Sequence, residues 1–259
     1  MIAQVNTPRQ RQRFLNACRG KLCCGATLPL ALQLLGKAQP GRFFAGPTLA
    51  LDIGGRTAWA AGHANPEELA SFLNFCGCRA VILDEAECPP PVGWQKTCDH
   101  TIFGLAAGEQ LPLPAQTGAQ KALWDSLTFV EDPASGPVAD SLFPDRPARR
   151  DDFYSELCTK RSRGKALVWT LEQGGNIVCT VGAYALCNGQ AYMACGQTAE
   201  ALRGQRVGGR LIVQMANALS AQGDQPVFLC SPERVHFYTQ LGFHPLGTLA
   251  RYESPIGKD

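Results

Sequence analysis

Two loop pairs, Gly174-Gly175 and Asn188-Gly189, constrain this chain more than any other feature. Both match the two-residue hairpin loop, whose central positions need a positive φ that glycine and asparagine tolerate best. They cut the sequence into Ala166–Leu171, Asn176–Leu186 and Gln190–Thr198, three largely apolar runs of strand length. Two-residue loops join only antiparallel neighbours, so the three strands are expected side by side. The period then changes. Val207, Leu211, Met215 and Leu219 recur every four residues, which predicts a helix over Arg203–Ala221. Pro226–Cys230 reads as a short strand. Ser231 is expected to cap a further helix, with Pro232 in its first turn and Gly242 at its end. Leu246–Tyr252 reads as a closing strand, and Asp151–Arg163 as a leading helix with Phe153, Tyr154 and Leu157 on its buried side. The order α-β-β-β-α-β-α-β implies an α/β (α+β) fold, a mixed, mostly antiparallel sheet flanked by helices.

The N-terminal part is expected to be a smaller α/β domain. Thr7-Pro8-Arg9-Gln10 starts a basic helix through a capping box, and Thr27–Leu35 is a second helical run. Leu49–Ile53 and Thr57–Ala60 flank Gly54-Gly55, a hairpin signal. Asn65 caps a helix whose Leu69, Phe72, Leu73 and Cys76 share a face, Gly77 ends it, and Arg79–Leu83 is a strand. His63 and His100 stand alone and read as structural. Prolines from Leu111–Pro114 through Pro147 suggest a long irregular connection, so the expected divisions are 1–110, 111–150 and 151–259.

Composition removes several functional classes. A net charge of +2 over 259 residues offers no general attraction to nucleic acid or membrane. Residues 1–51 do hold seven Lys/Arg and no Asp or Glu, but Phe14 is the one aromatic interleaved among Arg9–Lys21, and a solvated basic helix face accounts for the charge. No run approaches the length of a membrane span, and no signal peptide is evident. The twelve cysteines show no C-x-x-C spacing, and Cys158, Cys179, Cys195 and Cys230 sit in apolar segments. That pattern fits reduced thiols in a cytoplasmic protein, with no metal site.

The chemistry concentrates in Arg203-Gly204-Gln205-Arg206-Val207-Gly208-Gly209, which follows a strand and opens a helix. Amides at a helix start lack intrahelical partners and carry the positive end of the dipole, and glycines let an anion approach them. Beyond it come Ser231 and the run Phe237-Tyr238-Thr239-Gln240-Leu241-Gly242-Phe243. Together these segments resemble the GNAT acetyltransferases, whose phosphate loop reads Arg/Gln-x-x-Gly-x-Gly/Ala and whose later signature is Tyr-x-x-x-Gly-Phe. The resemblance spans Asp152 to Tyr252. It departs at Arg206, where the family has a glycine, and at Ser231, where many members have an asparagine.

The resemblance implies an acetyl-CoA-dependent N-acyltransferase acting on an amine of small-molecule or peptide type. Acetyl-CoA would pair with Gly196, Gln197 and Thr198, and its pyrophosphate with Gly204, Gln205, Arg206, Val207, Gly208 and Gly209, with Ser231 nearby. An amide at Gly196–Gln197 would polarise the thioester and Tyr238 would protonate the departing thiolate. Glu172, Glu156, Asp152 or a water relay could take the amine's proton, and Cys195 reads as packing rather than a nucleophile. The alternative is a GNAT-fold module that senses acyl-CoA without turnover. The N-terminal domain could be a wall of the acceptor site, a degenerate second copy of the fold, or a homodimer surface.

Overall fold

The computed structural model describes residues 1–255. In chain order the first half runs β1 (Ala3–Gln4), α1 (Pro8–Cys18), α2 (Cys24–Leu35), β2 (Phe43–Ala45), β3 (Thr48–Gly54), β4 (Thr57–His63), α3 (Pro66–Phe75), β5 (Ala80–Leu83) and β6 (Gln95–Gly104). The second half continues α4 (Gly118–Asp125), β7 (Thr128–Val130), α5 (Ser135–Leu142), α6 (Pro147–Arg161), β8 (Leu167–Gln173), β9 (Asn176–Cys187) and β10 (Gln190–Thr198). It ends with α7 (Val207–Ala221), β11 (Gln225–Cys230), α8 (Val235–Gln240) and β12 (His244–Glu253). The fold is mixed α/β, with mostly antiparallel strand pairing and flanking helices.

These elements form two compact units. Among the described residues, unit 1 takes Met1–Phe103, Leu229–His236 and 245–255, and unit 2 takes Gly104–Phe228 and Phe237–His244. In unit 1 the strands lie in the order β1-β2-β3-β4-β5-β12-β6. Thr7 caps α1 through the expected capping box with Gln10, and Asn65 caps α3. The core joins Leu49 and Leu51 of β3, Leu69 and Leu73 of α3, and Val81 and Leu83 of β5. The β3–β4 loop is Gly55-Arg56 rather than Gly54-Gly55, because Gly54 still pairs with Thr57. Gly55 alone carries the positive φ, 60°.

Unit 2 orders its strands β7-β8-β9-β10-β11. Both predicted hairpin loops are present, with φ of 59° and 80° at Gly174-Gly175 and 54° and 71° at Asn188-Gly189. Positive φ at both loop positions twists each hairpin the way its strands twist. Helix α7 buries Val207, Leu211, Met215 and Leu219 completely. It begins at Val207, four residues later than expected, since Arg203–Arg206 form the turn that leads into it.

Segment 111–150, expected to be irregular, carries α4, β7, α5 and the start of α6. Strand β7 pairs antiparallel with β8, Phe129 opposite Leu171. Pro147 stands at the first turn of α6, whereas Pro112 and Pro114 lie in irregular chain before α4. In α6, Leu157 is buried while Tyr154 is 47 % exposed, so the apolar stripe is narrower than expected and runs through Phe153 and Leu157. Strand β6 had no sequence counterpart in the reading above.

Each unit contains the same succession. Elements β1-α1-α2-β2-β3-β4-α3-β5 recur as β7-α5-α6-β8-β9-β10-α7-β11. The pairings recur too, with three antiparallel contacts followed by one parallel contact.

Candidate functional site

In unit 2 the site starts from a short parallel contact. Strands β10 and β11 pair over Gln190–Tyr192 against Gln225–Val227, and the later residues of β10 have no partner on β11. On its other side β10 pairs antiparallel with β9, with a first register shift between Tyr192 (opposite Ala185) and Met193 (opposite Ala183). The ladder then breaks after Ala194, opposite Gly182, and resumes at Gln197, opposite Thr180. Cys195 and Gly196 thus stand against Val181 alone, a bulge with Cys195 at φ 52°. A bulge takes backbone groups out of the ladder and re-aims them, often beside a reactive centre. Gly196 and Gln197 are exposed at this point. The bulge is the site feature that sequence reasoning missed. Its one trace is the polar Gly-Gln-Thr ending of an otherwise apolar strand.

The start of α7 follows. Gly204 has φ 78° and Arg206, the residue before the helix, has φ 61° in the left-handed region. The family's glycine would occupy that conformation freely, whereas an arginine there costs about 1 kcal/mol. No side chain caps α7. Among the described residues no group outside the helix accepts from the amides of Val207, Gly208 or Gly209. Gly208 packs too closely for a Cβ without a shift of its neighbour, and Gly209 packs tightly. A Cβ on Gly208 would lie 2.4 Å from Thr198 Oγ1, and one on Gly209 would lie 3.0 Å from Leu241 Cδ2. Thr198 Oγ1 is itself 3.4 Å from Cys179 Sγ, and Arg203 Nε donates to Thr198 O at 3.3 Å. Arg206 Nη1 donates to Ala115 O at 2.6 Å, so its guanidinium is tethered beside the turn. Unit 2 therefore brings Gly196–Thr198 together with Gly204–Gly209 through the contact of Gly208 with Thr198.

Tyr238 sits on α8 in an aromatic cluster, its ring centroid 4.5 Å from Phe228, 5.0 Å from Phe237 and 6.3 Å from Phe243. The cluster fixes the ring while leaving the residue half-exposed. Ser231 belongs to unit 1, and it does not cap through its side chain. Its hydroxyl donates to the Glu233 carboxylate instead. Glu156 is engaged by Lys160 at 2.8 Å, and Glu172 lies on β8 opposite Ile177. Burial pushes the Cys195 thiol up, opposed by Arg149 and Lys160, and burial does the same at Cys179 against the Thr198 hydrogen bond. Both remain protonated near neutral pH, which suits packing and not nucleophilic attack. All twelve cysteines are free, and the described residues hold no cluster able to bind a metal. No helix among them is long and apolar enough to cross a membrane.

No protein-family profile and no curated protein matches the sequence. Solved structures do match it by fold. A tandem GNAT protein from the clavulanic acid biosynthesis pathway superposes with a TM-score of 0.63 at 12 % identity, covering 100 % of this chain and 99 % of that one. A GCN5-related N-acetyltransferase from Sphaerobacter thermophilus gives 0.63 at 12 % identity, over 97 % and 94 % of the two chains. Another from Kribbella flavida gives 0.60 at 16 % identity, over 90 % and 96 %.

Proposed function

We propose that this chain, which has the GNAT fold over its full length, is an acetyl-CoA-dependent N-acyltransferase whose cofactor cradle lies in unit 2. The observation that carries the reading is the start of α7. Its three leading amides lack a cap, its first turn has no carboxylate, and Gly208 and Gly209 let that turn pack closely against Thr198 and Leu241. A diphosphate satisfies such amides with charge of the right sign, so the residues present fit the pyrophosphate of coenzyme A. Arg203 and Arg206 add positive charge at the same turn.

Bound acetyl-CoA would supply an activated acyl group as a thioester. The chain's own residues would then do three things. The exposed backbone of Gly196–Thr198 would orient the donor by hydrogen bonding. An amide at the Cys195–Gly196 bulge would stabilise the negative charge that grows on the carbonyl oxygen as the amine attacks. The Tyr238 hydroxyl would give its proton to the sulfur as the C–S bond breaks. The acceptor is an unprotonated amine, and its lost proton leaves to solvent or a nearby carboxylate.

The test is free-thiol release from acetyl-CoA against a panel of amines, amino acids and peptides, with calorimetry of acetyl-CoA binding alongside. Acceptor-dependent thiol release supports the reading. Tight binding with no release against any acceptor would favour a sensor module, and absent binding would remove the cradle itself.

A further inference from the structure

Unit 1 repeats the splayed pair of strands but not the cradle. Its strands β4 and β5 run parallel only over Thr57–Trp59 against Ala80–Ile82, the same place in the succession as the β10–β11 contact. The helix that follows β4 starts differently. Asn65 Oδ1 accepts from Glu67 N at 2.9 Å and Glu68 N at 3.1 Å, and Pro66 has no N–H to offer. The first turn also carries Glu67 and Glu68. A pyrophosphate approaching α3 would find these donors already taken and a first turn carrying two acidic residues, of which Glu68 is engaged by the Met1 ammonium and Ile2 N. Unit 1 therefore offers no cofactor cradle at α3, although its strands still part.

The gap is a cavity of about 190 Å³. Its lining includes Ala60 and Gly62 of β4, Asp84 and Glu87 beyond β5, Lys21 from the α1–α2 connection and Cys24 at the start of α2. Ile102 and Leu249 add apolar wall. Lys21 forms an ion pair with Glu87. Asp84 receives a hydrogen bond from its own loop, Ala86 N to Oδ1 at 3.0 Å, and no cation pairs with it among the described residues. The lining thus carries one carboxylate in excess. Cys24 lines the same cavity. Burial first, then the charges of Asp84, Glu87 and Asp52, push its thiol up to about 12, so it is inert as a nucleophile. A carboxylate without an ion pair beside an apolar wall matches a ligand with one cationic head and a short apolar body.

We propose that the unit 1 cavity binds a small primary ammonium compound, its charged head at Asp84 and its short apolar body against Ile102 and Leu249. This inference rests on unit 1 alone and does not require that unit 2 transfers acyl groups. The full-length protein is titrated calorimetrically at neutral pH with n-butylammonium and, as a size-matched anion, butyrate. Saturable binding of n-butylammonium and none of butyrate is expected. Asp84→Asn can keep the bond from Ala86 N, so the melting temperature and acetyl-CoA affinity should hold while n-butylammonium affinity falls at least about tenfold. Asp84→Glu keeps the charge and should retain most of the binding. Unchanged affinity in Asp84→Asn, equal loss in both variants, equal binding of butyrate, or no saturable binding would each overturn the proposal.

Discussion

At the scale of single residues, Tyr238 has an observed packing role and a proposed chemical one, which one substitution separates. Its ring packs with Phe228, Phe237 and Phe243, and its hydroxyl is the proposed proton donor. Tyr238→Phe removes only the hydroxyl. With a proton-donor role, kcat should fall by about 10- to 100-fold while acetyl-CoA affinity and melting temperature stay near wild type. The fall stays in that lower range because a free thiol has a pKa of about 8.5, so at neutral pH the thiolate is a tolerable leaving group. A variant with wild-type turnover and a lowered melting temperature would assign Tyr238 to packing alone.

At the scale of elements, the two helix starts are a comparison made within one chain. Helix α3 is capped by Asn65 and acidic in its first turn, whereas α7 has neither feature. Gly208 is a poor probe of the difference, since any Cβ there strikes Thr198 whatever the charge. Arg206→Asp is better. Aspartate tolerates the left-handed conformation and suits a helix start, so stability should stay within about 1 kcal/mol of wild type. The new carboxylate would compete for the amides proposed to hold the pyrophosphate, so acetyl-CoA affinity should drop at least about tenfold. Calorimetry and a melting curve on one preparation check both halves, and an unchanged affinity would remove the α7 cradle. Burial gives a separate test of the element. Leu211 is fully buried on α7, and Leu211→Ala should cost about 2–5 kcal/mol in a denaturant titration.

At the scale of the whole molecule, the cysteines report the packing. Burial pushes Cys23 well above its ordinary value, and Cys78 and Cys88 up to about 11. Thiol titration in denaturant without reductant should find about twelve groups, while the native protein at pH 8 should react fast at only a few, Cys98 among the accessible ones. Recovery of half that number from denatured material would mean disulfides and a different redox setting.

Periodicity and turn chemistry made most elements legible, because both are local. Gly174-Gly175 and Asn188-Gly189 specify their loops through φ alone, and the four-residue recurrence from Val207 to Leu219 specifies a buried helix face. The resemblance of Arg203–Gly209 and Tyr238–Phe243 to the GNAT motifs pointed to the acyltransferase fold. Other features depend on partners distant in the chain. The bulge at Cys195 exists because β9 continues in register on both sides of it, and that register is a property of the pair. Gly208 is required by Thr198, ten residues earlier on another element. Strand β12, at the end of the sequence, lies in unit 1 with Ala250 opposite Leu83, a pairing no local signal encodes. The repeat of one topology in both units was hidden for the same reason: hydrogen-bond ladders constrain backbone geometry, and many side-chain sequences satisfy the same ladder. Sequence alone determined the local elements and the charge of the helix starts, since those follow from each residue and its near neighbours. Tertiary structure decided which strands pair, where they part, and hence that unit 1 retains a cavity with a carboxylate in excess and no pyrophosphate cradle at α3.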